Sequence, residues 1–230
     1  LAAAGFSGAP DFLDNPTGFY SAYGFGASRP ELASEKWGAP WQIASPGLTL
    51  KAYPCCTASH PVASLGIKLH REDLAADQVE AVTFTYPTGA DAALVVTKPE
   101  NGIEARFSPE YVFAAALLDG ALRLDHFDER PVEDRIMALA AKASRRHDNT
   151  APRMSSDPST RFVLLDIALK DGTKIHRRFD GLPSLTDPEQ KFKNATSGSS
   201  AFADIPELVR SMESEADLAR LLSLLNQTSL

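Results

Sequence analysis

The sequence is short of cysteine, of positive charge and of long apolar runs. Cys55 and Cys56 are the two cysteines among 230 residues. No disulfide framework can hold such a chain, and the expectation is an intracellular, cytoplasmic protein. Lys and Arg total 23 against 30 Asp and Glu, a net charge of −7. That sign opposes a phosphate backbone, so nucleic acid is not expected as a partner. No apolar stretch approaches the roughly 18 residues of a membrane span, and no membrane is expected either. No basic segment precedes an apolar one, so no signal peptide is expected. Also missing are a G-x-S-x-G elbow, an H-E-x-x-H pair, a Walker A loop and a G-x-G-x-x-G turn. Nothing asks for a nucleotide, and no cofactor is expected.

What remains is a composition suited to a packed core: 43% hydrophobic and 23% charged residues. The length allows one large domain or two small ones, able to fold without covalent staples. The first fifty residues carry many rings (Phe6, Phe12, Phe19, Tyr20, Tyr23, Phe25, Trp37, Trp41) among frequent Gly and Pro. Gly and Pro interrupt any long helix there, while the aromatics are too many for a solvated linker. A loop-rich segment that packs its rings on a partner surface is expected.

Further on, Val62, Leu65 and Leu69 have helical spacing behind Pro61, and Val82 to Tyr86 alternates as a half-buried strand stopped by Pro87. Residues 88–106 read as an extended loop. Ser108-Pro109-Glu110 starts a helix that Asp119-Gly120 ends. The spacing predicts a second helix from Glu133 to Arg146, with the basic trio Arg145, Arg146 and His147 complementing its dipole. Phe162–Leu169 and Lys174–Phe179 flank Asp171-Gly172 as a hairpin. A two-residue turn there would place Asp166 opposite Arg177 and Leu164 opposite Phe179. Helices alone follow, the last carrying Leu218, Leu221, Leu222 and Leu225. The order of elements is α+β with segregated helices and strands.

Two clusters hold the candidate chemistry. Residues 51–60 bring Lys51, Tyr53, Cys55, Cys56 and His60 into ten positions, with His60 opening a helix. Adjacent cysteines are not the usual C-x2-C clamp and no fourth ligand is near, so no metal is expected. Lys98, Arg106 and Ser108 flank a glycine-bearing loop just before a helix N-terminus, a setting suited to an anionic substrate.

Taken together, Gly5-Phe6-Ser7-Gly8, Leu50-Lys51-Ala52-Tyr53-Pro54-Cys55-Cys56 with His60, Gly102 to Tyr111, Leu117-Leu118-Asp119-Gly120, Lys170-Asp171-Gly172 and Lys191-Phe192 resemble the MmgE/PrpD family in order and spacing. The resemblance implies a small α+β lid domain with antiparallel strands (residues 49–185), flanked by segments of a larger mainly helical domain (residues 1–48 and 186–230). It implies only the C-terminal half of such an enzyme, with a missing N-terminal helical half as partner, and a homodimer. The family acts on small di- or tricarboxylic acids, as dehydratase-type lyases or as epimerases, by taking a proton from the carbon next to a carboxylate. Lys51 would then line the cleft, with His60 as a second catalytic group. Tyr53, Cys56, Lys98, Arg106 and Ser108 would bind substrate. The decarboxylase branch carries a histidine where this sequence has Cys56, which counts against decarboxylation. A non-catalytic half-enzyme subunit is the rival expectation.

Overall fold

In the computed structural model the chain divides into two compact units, residues 1–49 and 50–230. The structure describes residues 2–13, 15–24, 35, 38, 40–41, 43–48, 50–152, 160–183, 187–196 and 200–226. Phe25, Trp37 and residues 153–159 lie outside these.

The described residues of the first unit include a 3-10 turn at Ala2–Ala4, helix α1 (Phe19–Tyr23) and a π-turn at Ile43–Gly47. Its rings gather on Phe19, which lies 5.9 Å from Phe12, 5.7 Å from Tyr20 and 5.0 Å from Tyr23, centroid to centroid. Phe6, Phe12, Tyr23 and Trp41 are exposed.

The second unit is α+β. Helix α2 (His60–Arg71) leads to β1 (Val79–Pro87). One helical turn, α3 (Gly102–Ala105), sits within the stretch expected to be loop, and Asn101 caps it through Glu104 N–H at 3.0 Å. Helix α4 (Pro109–Asp119) is apolar nearly all round and buried from Pro109 to Leu117, so it forms the central rod. Ser108 caps its start by accepting from Tyr111 N–H at 3.3 Å. Gly120 ends it in the left-handed region, φ 66°. Only glycine serves there, because a Cβ would also stand 2.4 Å from His70 Cδ2. Helix α5 (Asp134–Ala140) and strands β2 (Ala143–Asp148), β3 (Phe162–Leu169) and β4 (Lys174–Asp180) follow. Helices α6 (Pro188–Ala195), α7 (Ile205–Arg210) and α8 (Glu215–Asn226) close the chain.

The sheet order is β2-β1-β3-β4. β1 runs antiparallel to β3, and β3 to β4, while β2 joins β1 in parallel. The core is built from one face of the sheet, with Val82 beside Ile167 and Phe84 beside Leu165, and from helices α2 and α4. Phe84 and Phe113 meet edge to face with centroids 5.4 Å apart.

Two expectations are corrected. The helix predicted through Arg146 ends at Ala140, and the basic trio sits on β2 rather than at a helix end. Arg145 points inward to a buried carboxylate, while Ser144 and Arg146 are exposed. The strand alternation is therefore present, with a charged residue at its inward position, and pairing with β1 overrides helical propensity. The hairpin turns on Lys170, Asp171 and Gly172 rather than on two residues. Gly172 takes φ 86°, and this shifts the register by one. Asp166 consequently faces His176, and Phe179 faces Val163.

Candidate active site

Residues 51–60 approach α2 as an irregular strap that ends in a 3-10 turn, Thr57–Ser59, running straight into the helix. The Cys56 N–H donates to Arg106 C=O at 2.9 Å, which fixes the strap to the end of α3. Tyr53 and Ser64 share a hydroxyl hydrogen bond of 3.0 Å. The Tyr53 ring stands edge-on to His60, centroids 5.3 Å apart. Four of the expected site residues, Lys51, Tyr53, Cys56 and His60, are thus held together on one strap.

Their exposures differ sharply. Lys51 is exposed, whereas His60 is 2% exposed and Cys55 4%. Burial pushes the Cys55 thiol up to about 12, aided by neighbouring Cys56 and opposed by Lys51. Cys55 is therefore a protonated, apolar filler at neutral pH. Burial pulls His60 down to about 4, and the charges of Lys51 and Lys191 press the same way, while the main chain of Cys55 and Tyr53 resists. The imidazole is neutral, with Nε2 buried and unpartnered, as is Ser59 Oγ. The group that faces solvent on this strap is Lys51.

The second expected cluster is distributed otherwise. Arg106 donates Nε–H and Nη2–H to Phe127 C=O at 3.1 and 2.7 Å, so its guanidinium ties α3 to the following turn. Ser108 is fully buried, and its hydroxyl also donates to Glu110 Oε2 at 3.2 Å. Ser108 is a capping residue in this arrangement, out of reach of a solvent-borne substrate. Lys98 lines a cleft of about 750 Å3 with Thr97, Ser144, Arg145, His147 and Asp91, and no residue of the strap lines it. Lys98 is therefore apart from Lys51.

Sequence reasoning passed over three further groups. Arg145 donates to both oxygens of buried Glu110, at 2.5 and 2.9 Å, and to the carbonyls of Leu94 and Val96 (3.1 Å to the latter). Asp119 accepts from Arg135 at 2.6 and 3.0 Å and from His126 Nε2 at 2.8 Å, which lowers its carboxyl to about 2. His126 Nδ1 accepts from Arg123 N–H at 3.0 Å, so its proton sits on Nε2. This looks like an acid–base dyad, but His126 is buried and the set joins the end of α4 to a turn. Lys191, on α6, donates from Nζ to Lys51 C=O across 140 residues. The Lys191-Phe192 motif was visible in the sequence, but nothing local indicated where its ammonium lands. Among the described residues, no three His, Cys, Asp or Glu side chains gather as metal ligands, and no helix is long and apolar enough to cross a membrane.

The family model described as the MmgE/PrpD C-terminal domain matches residues 53–197. The chain belongs to the MmgE/PrpD family and carries that C-terminal domain. It is similar to cis-aconitate decarboxylase of Mus musculus, 29% identical over 191 residues, which is 78% of this chain and 37% of the mouse protein. The chain thus spans just over a third of that curated relative's length.

Proposed function

We propose that this chain is the C-terminal part of a lyase that takes a proton from the carbon beside a carboxylate of a small di- or tricarboxylic acid, in the manner of a 2-methylcitrate dehydratase. The observation that carries the reading is the exposed Lys51 on a strap whose Cys55 and His60 are buried and neutral. A lone cation on an otherwise uncharged strap is suited to an acid substrate and to the negative charge that develops when the α-proton leaves. Lys51 serves as the electrostatic clamp. Tyr53, locked on Ser64, and half-buried Cys56 form the wall beside it. The relative's name supplies the substrate class, a carboxylic acid that undergoes carbon–carbon bond cleavage. Cys56, where the decarboxylase branch has histidine, counts against decarboxylation and leaves dehydration and epimerisation for the test below.

In this reading residues 49–185 act as the lid, and residues 1–48 and 186–230 join a helical domain. A helical N-terminal half completes the cleft, in a cytoplasmic homodimer. The test is turnover of the full-length protein on 2-methylcitrate, cis-aconitate and iminodisuccinate, with product configuration assigned by chiral chromatography. Dehydration supports the reading. Epimerisation alone moves the protein to the isomerase branch, and loss of no activity in Lys51→Ala removes the site.

A further inference from the structure

Among the described side chains of α6, the structure connects the Lys191 ammonium to the strap, by its hydrogen bond to Lys51 C=O. The contact bridges 140 residues of sequence and brings a second positive charge to the main chain of Lys51, the residue of the strap that faces solvent. Both lysines act on the same buried imidazole, since each disfavours protonation of His60. Lys51 by its own side chain and Lys191 by its bond to the Lys51 carbonyl both bring positive charge to the strap, and an anion bound there is favoured by both charges. The acid on the same helix, Glu189, is engaged by Arg210 and does not supply that anion. An ammonium carries three donors and one main-chain carbonyl takes one of them, so the tether leaves Lys191 able to bind an oxyanion. A di- or tricarboxylic acid presents at least two carboxylates, and a single lysine matches one.

We propose that Lys191 is the second cation of the site: it fixes the Lys51 main chain and binds a further carboxylate of the substrate. The inference rests on the acid-binding reading of Lys51 given above. It adds a residue from the far end of the chain, so that the strap and α6 must be docked together before a polycarboxylate is held at both ends.

The test uses the full-length protein and citrate as the probe, titrated calorimetrically at pH 7 across a range of sodium chloride, with thermal melts of every variant. Lys191→Gln keeps a donor for Lys51 C=O and removes the charge. It is expected to weaken citrate about tenfold and to flatten the salt dependence, with an unchanged melt. Lys191→Arg, which retains charge and donors, is expected to stay within about threefold of the wild type. Lys193→Gln, an exposed neighbour on α6, is the control and is expected to change nothing. Equal losses in Lys191→Gln and Lys191→Arg, or none in Lys191→Gln, overturn the inference and leave a structural tether. If Lys51→Ala abolishes citrate binding while Lys191→Gln does not, only the second cation falls. If Lys51→Ala also binds citrate as the wild type does, or the wild type does not bind it, the acid-binding reading fails and this inference fails with it.

Discussion

Arg145 on β2 and Glu110 on α4 form a two-pronged guanidinium–carboxylate pair, with side chains only 14% and 6% exposed. The pair joins the edge strand to the central helix, and the same guanidinium holds the loop carbonyls of Leu94 and Val96. Removing one partner leaves a buried charge uncompensated. Arg145→Ala is expected to cost about 3–5 kcal/mol in chemical denaturation. Replacing both residues with apolar ones, as in Arg145→Met with Glu110→Leu, should recover much of that, because no orphan charge remains. A double variant as unstable as the single would show that the loop carbonyls, not the ion pair, dominate.

Lys51 is the most direct probe of catalysis. Lys51→Ala in the full-length enzyme should lower kcat/KM at least ~100-fold, about 2.7 kcal/mol of transition-state stabilisation, with an unchanged melt. A clamp should be partly rescued by Lys51→Arg, whereas a proton-transferring lysine should not, since arginine stays protonated. Steady-state kinetics of the two variants separate these roles.

His60 makes stability depend on pH in a defined direction. Its pKa falls from 6.5 to about 4 on folding, so between those values the unfolded chain binds more protons than the folded one. Stability therefore rises as pH climbs from 4 to 6.5 and is lost on acidification through that window. The loss is on the order of 2 kcal/mol after allowance for solvent screening. His60→Gln should flatten this part of a stability–pH curve measured by urea denaturation. A slope unchanged by the substitution would assign the acid sensitivity to other groups.

The two cysteines should behave unequally toward a thiol reagent. Cys55, 4% exposed and with its thiol raised to about 12, should resist iodoacetamide at pH 8 until the protein is denatured. Cys56 is only half-buried and should be modified first. Peptide mass mapping of the native protein distinguishes them, and early labelling of Cys55 would contradict the burial described.

At Gly66 helix α2 packs directly against α4. A Cβ there would stand 2.8 Å from Ala116 Cβ and 2.9 Å from Phe113 O, the latter a main-chain atom on the central helix. Alanine favours helix by about 1 kcal/mol over glycine, yet the two helices would have to separate to admit it. Gly66→Ala is expected to destabilise by a net 1–2 kcal/mol in thermal or urea melts.

Much of this architecture can be read from the sequence where local chemistry and tertiary demand agree. Ser108-Pro109-Glu110 and Gly120 mark both ends of α4, and Val163, Leu165 and Ile167 mark the buried face of β3. The departures have identifiable causes. β2 is hidden because its inward residue is Arg145, so apolar counting sees a helix tail instead. The hairpin register depends on Gly172 adopting a positive φ, a choice that Asp-Gly alone does not settle. Within the candidate site, the grouping of Lys51, Tyr53, Cys56 and His60 follows from their adjacency. The burial of His60, the diversion of Arg106 to Phe127 and the arrival of Lys191 are long-range facts with no local signature.

The parallel pairing of β1 with β2 has a kinetic meaning. Thr83 and Ser144, 61 positions apart, become neighbours only after the chain between them has been gathered in, α4 and α5 included. The β3–β4 hairpin, by contrast, closes over a single turn. Chain-closure entropy favours the near contact first, so the hairpin forms before β1 finds either of its distant partners, β2 or β3. The outermost strand, paired on one side only and seated on α4 by a guanidinium, is the first to let go, and its amides should exchange with solvent ahead of those shared by β1 and β3.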